Sequence, residues 1–189
     1  MKILYSNRTL YPIEGGADIS ALALLEYLSK KNEVIAVYIG EDLENSKIKC
    51  YPQKIKQAKG IWINSYLLNR KWINILEEII EKEKPDLIIT QDYIIPASIK
   101  VAKKFKIKTI VFLRSYVHIS IDGFMTYLPE DGKPSKTSSL IHKIQFPFYK
   151  SINKDFHWAL KNADLIICNS YYLRNVTLKY CGVNREVLR

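Results

Sequence analysis

The stretch IEGGADISALALLEYLSKKNEVIAVYIG, residues 13–40, shows the pattern on which the fold prediction rests. Two adjacent glycines lead into an amphipathic helix, and the helix leads into an apolar strand. The helix carries one apolar stripe at the spacing i, i+3, i+4 and i+7, formed by Ala21, Leu24, Leu25 and Leu28. Because MKILYS, residues 1–6, is also a short apolar strand, the opening of the chain predicts a strand, helix, strand unit.

The same alternation continues to the last residues. Apolar strands are predicted near Ile48 and in PDLIIT (85–90), KTIVFLRS (108–115) and ADLIIC (163–168). Short buried strands that alternate with amphipathic helices are typical of a parallel sheet with both faces covered. We therefore expect an α/β fold with a doubly wound parallel sheet, a single Rossmann-like domain over residues 1–189.

Proline and glycine mark the predicted helix ends. A long helix from about residue 61 to 82 is ended by Pro85, and another begins at Pro96, where the missing N–H costs nothing. A helical segment is expected to be interrupted at Pro147. The last helix is capped by Asn169 or Ser170 and ends at Gly182, which suits a left-handed residue.

Composition narrows the class of protein. The chain has 189 residues, 48% of them hydrophobic, and a net charge of +10, which favours a phosphate-bearing partner; solvated basic helix ends are the alternative. It shows neither a secretory signal nor an apolar run of about 20 residues, so we expect a cytoplasmic protein. Cys50, Cys168 and Cys181 lack the spacing of metal ligands, so we expect free thiols and no metal.

Ligands of doubly wound sheets bind beyond the carboxyl ends of the strands. This rule leaves four candidate stretches: EGGAD, TQDY, LRSYVH and CNSYY. Nucleophilic catalysis has little support, because the sequence has no Gly-x-Ser-x-Gly elbow. No helix-turn-helix or Gly-x-x-Gly loop supports nucleic-acid binding, so we expect no nucleic-acid partner.

Gly15 and Gly16 precede a helix whose first N–H groups are unpaired, which is a natural seat for a phosphate. Glycine lets such a ligand approach the backbone closely. The dinucleotide fingerprint lacks its third glycine here, and the mononucleotide loop lacks its Gly-Lys-Ser or Gly-Lys-Thr. The alternative is a simple turn into the helix, with Asp18 as a first-turn acid.

Polar residues end two further strands. Gln91 and Asp92 suit sugar hydroxyls, although a turn with an ordinary helix cap would also explain them. Arg114 ends an apolar strand and needs an anion or a carboxylate; a salt bridge to Asp92 is the structural alternative. His118 follows as a candidate acid, base or hydrogen-bond donor, or as a plain exposed histidine.

In order and spacing, MKILYS, GGAD, KPDLIIT and KNADLIICNSYYLRNVTLKYCGV together resemble a known pattern that covers nearly the whole chain. It is that of the N-terminal, acceptor-side domain of retaining GT-B glycosyltransferases of the family 4 type. The resemblance implies transfer of a hexose from a nucleoside-diphosphate sugar to a glycan or lipid-linked acceptor, without a bound metal or other cofactor. A non-catalytic sugar- or nucleotide-binding regulatory domain is the alternative.

The resemblance also implies roles for the candidate residues. Gly15 and Gly16 match the loop that approaches the donor diphosphate, and Arg114 stands where many members have a histidine near the transferred sugar. Arg114 and His118 are the implied catalytic residues. Acceptor binding is implied for Gln91, Asp92, Ser115 and Tyr116.

Two expectations concern what lies beside this domain. The family's donor-binding half, with its basic pair and two glutamates, has no counterpart after Gly182, so we expect a separate C-terminal domain as partner and no useful activity from residues 1–189 alone. Basic residues interleaved with aromatics in KIKCYPQKIKQAKGIWINSYLLNRKW also suggest a peripheral contact with anionic membrane lipid. A core helix with a basic outer face is the alternative.

Overall fold

The computed structural model describes residues 1–43, 46–56, 61–115 and 140–189. Strands and helices alternate through this part of the chain, as the sequence predicted. Their order is β1 (Lys2–Thr9), α1 (Gly16–Ser29), β2 (Glu33–Ile39), β3 (Lys49–Gln53), α2 (Ile61–Glu83), β4 (Leu87–Gln91), a short 3-10 turn (Asp92–Ile94), α3 (Ile95–Phe105), β5 (Lys108–Leu113), α4 (Leu140–Asn162), β6 (Leu165–Cys168), α5 (Tyr171–Cys181) and a final 3-10 turn (Arg185–Val187).

The strands form one parallel sheet in the order β3-β2-β1-β4-β5-β6. The chain builds outward from β1 to β3 and then returns to β4 on the other side of β1. The topological switch point therefore lies between β1 and β4, the place where doubly wound sheets bind ligands. This topology confirms the predicted fold class.

Alternate residues of β1 face opposite layers of helices, as the pleat of a strand requires. Ile3 and Tyr5 pack on the face covered by α1, together with Ala21 and Leu25. Leu4 packs on the other face, against residues of α2 and α3. On that second face Trp72 is fully buried, and its indole N–H donates to Ser6 Oγ at 2.9 Å.

Two local features differ from the sequence prediction. β1 runs on to Thr9, three residues beyond the predicted strand, because its partner β2 continues alongside it. Helix α4 is not interrupted at Pro147 but continues through it. The buried side chains of the same helix, including Ile152, Phe156 and Leu160, pack into the core, and this packing outweighs the one backbone hydrogen bond that a proline removes.

Glu83 forms a charged hub at the amino-terminal edge of the sheet. Its carboxylate is 5% exposed and accepts from Lys49 Nζ at 2.7 Å, Tyr51 Oη at 2.5 Å and Lys2 Nζ at 3.4 Å. These hydrogen bonds, led by the one from Lys49, lower the pKa of Glu83 to about 2. The hub joins β1 and β3 to the end of α2.

Replacing Glu83 with glutamine is expected to lower the free energy of unfolding by about 2 kcal/mol at pH 7, since the charge-assisted hydrogen bonds are lost. The folded-state pKa is depressed, so this contribution is present above the ordinary pKa and disappears as the pH falls toward 2. Urea denaturation at several pH values measures both effects. Glu81→Gln is the matched control on the exposed side of α2; equal losses in the two variants would contradict the role of the hub.

Candidate functional site

A pocket opens at the carboxyl-terminal edge of the sheet, between α1 and the ends of β5 and β6. Its volume is about 530 Å³, and its lining includes Gly16, Ala17, Ser20, Phe112, Arg114 and Asn169. We call it the strand-end pocket. The fold thus brings together three of the four stretches that the sequence singled out, and it places the predicted phosphate loop beside Arg114.

Open space lies beside Gly15 and Gly16. Apart from the adjacent residues and the backbone of α1 itself, no described atom comes within 4 Å of a Cβ placed on either residue. Gly15 has a φ of −173°, an extended conformation that any residue adopts, and Gly16 is the first residue of α1. Neither backbone conformation nor internal packing therefore requires glycine here, which leaves room for a group from outside the domain.

Asp18 caps the start of α1. Its carboxylate is 3% exposed and accepts from the backbone N–H groups of Glu14 and Gly15, at 3.0 and 3.2 Å, and from Thr9 Oγ1 at 3.0 Å. The sequence-based expectation of a first-turn acid is confirmed. The Gly15 N–H already donates to Asp18. An anion at the start of this helix would therefore accept from the N–H groups of Gly16 and Ala17, which lack partners within the helix.

Arg114 connects the end of β5 to the first turns of α1. Its Nη1 donates to Ala17 O at 3.2 Å and to Ser20 Oγ, and its guanidinium carbon lies 5.7 Å from the centroid of the Phe112 ring. From the other side, Asn169 Nδ2 donates to Arg114 O at 3.3 Å. The guanidinium therefore lies at the mouth of the strand-end pocket, beside the amino-terminal end of α1.

Asp92 pairs with Arg8, so a salt bridge from Arg114 to Asp92 is the wrong alternative. Arg8 Nε donates to Asp92 Oδ2 at 3.1 Å, and the Arg8 guanidinium carbon lies 5.5 Å from the centroid of the Tyr93 ring. Burial raises the pKa of Asp92, although Arg8 acts in the opposite direction. The sequence missed Arg8 because the residue lies beyond the predicted end of β1.

Two buried polar atoms lie close to the switch point. Gln91, the last residue of β4, is 3% exposed, and Tyr5 is fully buried on the same face of the sheet. Among the described residues, neither Gln91 Oε1 nor Tyr5 Oη has a hydrogen-bond partner. Burial raises the pKa of Tyr5, which keeps its hydroxyl protonated. Tyr5 had looked like an ordinary core residue in the sequence.

The remaining predicted site residues have separate outcomes. Ser115 follows Arg114 at the end of β5 and is half-buried. Tyr116 and His118 lie outside the described residues.

Ser170, and not Asn169, caps α5 by accepting from Leu173 N at 3.2 Å. Gly182 has the predicted left-handed conformation, with a φ of 59°.

The cysteines are free thiols, as predicted, in the part of the chain that the structure describes. Burial raises the pKa of Cys168 to about 11 and that of Cys181 to about 12, which keeps both in the unreactive thiol form. Within the same residues no group of three or more His, Cys, Asp or Glu side chains could hold a metal ion. None of the described helices is long and apolar enough to cross a membrane.

Among the described residues of the basic segment at 47–72, the aromatic side chains pack inward. Trp72 is fully buried, Tyr51 packs against the core on the α2 face, and Tyr66 packs against the core beneath α4. Lys47, Lys71 and Arg70 are exposed. In this segment the described aromatic residues serve the core, and a contact with anionic lipid stays a prediction based on the charge.

Comparisons with known proteins agree with the observed fold. The model of the family described as Glycosyltransferase Family 4 matches residues 14–189. No curated protein matches the chain. Similar solved structures include the sucrose-phosphate synthase (tll1590) from Thermosynechococcus elongatus, with a TM-score of 0.63 and 14% identity over 100% of this chain and 47% of that protein.

Two further structures are similar at the level of the fold. The S. aureus MnaA-UDP co-structure has a TM-score of 0.60 and 16% identity over 99% of this chain and 42% of that one. The apo form of the lipopolysaccharide outer core galactosyltransferase WaaB has a TM-score of 0.55 and 15% identity over 100% of this chain and 44% of that one. The chain thus spans less than half the length of these proteins.

Proposed function

The chain belongs to Glycosyltransferase Family 4, and from this premise we propose that it is the acceptor-binding half of a retaining transferase. The intact enzyme moves a hexose from a nucleoside-diphosphate sugar to a hydroxyl of a glycan or lipid-linked acceptor. The observation that carries this proposal is the strand-end pocket, where the open space beside Gly16 lies next to the guanidinium of Arg114.

Charge explains why this pocket suits a sugar diphosphate. The amino-terminal end of α1, with its free N–H groups and positive dipole end, and the Arg114 guanidinium beside it both line this pocket. As the bond to the sugar breaks, negative charge develops on the leaving diphosphate, and fixed donors aimed at it stabilise the transition state. In this proposal Gly15 and Gly16 approach the diphosphate and Arg114 faces the reacting sugar or its phosphate.

The acceptor is proposed to approach from the switch point. Asp92 is partly exposed there, held in place by Arg8, and Gln91 lies directly before it. Ser115, Tyr116 and His118 follow Arg114 along the chain and are proposed to complete the acceptor side. The leaving diphosphate itself serves as the base that takes the acceptor proton, and no metal is required.

A second domain is proposed to bind most of the donor. The chain covers 41–51% of the length of the first similar structures. The similar plant enzyme UGT2 of Phytolacca americana was solved with UDP-2fluoro-glucose and pterostilbene, which supports a nucleotide-sugar donor for the fold. Residues 1–189 alone are therefore expected to bind a donor weakly and to transfer no sugar.

The reaction class is tested with the intact protein, a panel of nucleoside-diphosphate sugars and simple glycan or lipid-linked acceptors. We expect transfer that continues in excess EDTA and a product whose anomeric configuration, read by proton NMR, equals that of the donor. An inverted product would contradict retention, and loss of activity on chelation would contradict the metal-free mechanism. Binding of donors with no transfer to any acceptor would instead support the regulatory alternative.

A further inference from the structure

A second pocket lies on the opposite face of the sheet, among α2, α3 and α4. Its volume is about 270 Å³, and its lining includes Tyr66, Arg70, Lys100, Asp155 and Trp158. We call it the helix pocket. α1 covers the other face of the sheet, so this pocket is separate from the strand-end pocket. Its size is at the low end for ligand sites and suits one sugar ring better than a chain of them.

One wall of the helix pocket is aromatic and firmly held. The Tyr66 ring meets the Phe148 ring edge-on, with centroids 5.6 Å apart, and the Arg70 guanidinium carbon lies 5.9 Å from the centroid of the Tyr66 ring. Trp158 retains 44% exposure at the pocket although its large ring is apolar. A fixed ring beside an exposed indole offers the flat apolar surface on which the C–H face of a sugar can lie.

The charges of the helix pocket are unbalanced in favour of cations. Arg70 and Lys100 contribute two positive charges, and neither forms a salt bridge with any residue that the structure describes. Asp155 contributes one negative charge; burial raises its pKa, while Lys100 and Lys154 act in the opposite direction. A ligand with one anionic group would balance this set, and the Asp155 carboxylate would accept from neutral hydroxyls.

We propose that the helix pocket binds an acidic monosaccharide, a single sugar that carries a carboxylate or a phosphate. The anionic group lies between Arg70 and Lys100, a ring hydroxyl donates to Asp155, and the apolar face of the sugar stacks on Trp158. Aromatic surface and charge are needed together, so neither a neutral sugar nor a bare anion satisfies the site. This inference does not depend on the proposed transferase activity.

The proposal is tested by calorimetric titration of the chain with glucuronate, glucose 6-phosphate, glucose and inorganic phosphate, with tryptophan fluorescence as a second readout. At least one acidic sugar is expected to saturate the site, and the stronger of the two identifies the anionic group. Glucose and phosphate are each expected to bind at least about tenfold more weakly than the acidic sugar, because each lacks one half of the contacts.

Variants assign the binding to this pocket. Arg70→Gln and Lys100→Gln are each expected to weaken the acidic sugar about tenfold, and Trp158→Phe is expected to remove the fluorescence change. Lys103→Gln, the same charge change on the exposed face of α3, is the matched control and should have no effect. Circular dichroism checks the folding of each variant, and the two cation variants serve as independent tests.

Several results would overturn the proposal. Equal binding of glucose and the acidic sugars would mean that the two cations do not recognise the ligand. Phosphate as tight as glucose 6-phosphate would indicate a bare anion site. Binding that Lys103→Gln weakens as much as Lys100→Gln would reflect overall charge, and the absence of saturable binding by both acidic sugars would remove the site altogether.

Discussion

Replacing Gly16 with alanine is expected to lower kcat/KM of the intact enzyme about 100-fold while the domain stays folded, because a displacement of about 1 Å at a reacting group has an effect of this size. Apart from the adjacent residues and the backbone of α1, the added methyl group meets no described atom of the domain within 4 Å. It occupies the space that we assign to the diphosphate. Alanine is also the better helix former in the first turn of α1, so the melting temperature should stay constant or rise.

The combination of lost activity and retained stability separates this account from a structural role for Gly16. Ala23→Leu, which adds bulk on the exposed side of the same helix, is the matched control and should leave both quantities unchanged. If Gly16→Ala kept full activity, the open space would not be the place of the donor. If it unfolded the domain, the glycine would serve the turn, as the simpler interpretation of the sequence holds.

Replacing Arg114 with glutamine is expected to lower kcat about 100- to 1000-fold, the usual effect of removing one donor aimed at charge that develops in the transition state. The side chain lies at the mouth of the strand-end pocket and keeps its charge fixed through Ala17 O, Ser20 Oγ and the Phe112 ring. Steady-state kinetics measure the effect. KM for the donor should change much less than kcat, because the interaction strengthens as the diphosphate leaves.

Two companion variants distinguish charge from anchoring. Arg114→Lys keeps a cation and should recover part of kcat, whereas Ser20→Ala removes one contact with α1 and keeps the guanidinium, so it should cost less than Arg114→Gln. Arg185→Gln is the control for loss of a positive charge at an exposed position. If Ser20→Ala lowered kcat as much as Arg114→Gln does, Arg114 would act by holding α1 in place.

Periodicity was sufficient to predict the architecture. The helix α1 was predicted from the spacing of Leu24, Leu25 and Leu28. The strands were predicted from apolar runs, and their parallel arrangement follows from the helices between them. The predicted interruption of α4 at Pro147 was wrong. The local cost of a proline in a helix is visible in the sequence, whereas the burial of Phe156 and Leu160, which outweighs that cost, depends on tertiary packing.

The site was only partly predictable for a similar reason. The fold class fixes the edge of the sheet where ligands bind, so the sequence could place Gly16 and Arg114 at that edge, and both line the strand-end pocket. The hydrogen-bond partners of the polar side chains near these residues depend on side-chain direction, which the sequence does not show. Arg8 donates to Asp92, and the Asp18 carboxylate accepts from the Gly15 amide at the start of its own helix. Gln91 was predicted as a polar strand-end residue, whereas Tyr5 gave no such signal in the sequence. That Gln91 Oε1 and Tyr5 Oη are buried without partners among the described residues appears only in the folded domain.

The proposed role of Arg114 and of the amino-terminal end of α1 is to receive the diphosphate of a donor together. Its most direct test is a nitrogen-15 NMR titration of residues 1–189 with a uridine diphosphate sugar. We predict weak binding, in the millimolar range, with the largest shifts at the amides of Gly15, Gly16, Ala17, Arg114 and Asn169. Tight binding, or shifts that avoid these residues and cluster on another part of the domain, would contradict the account.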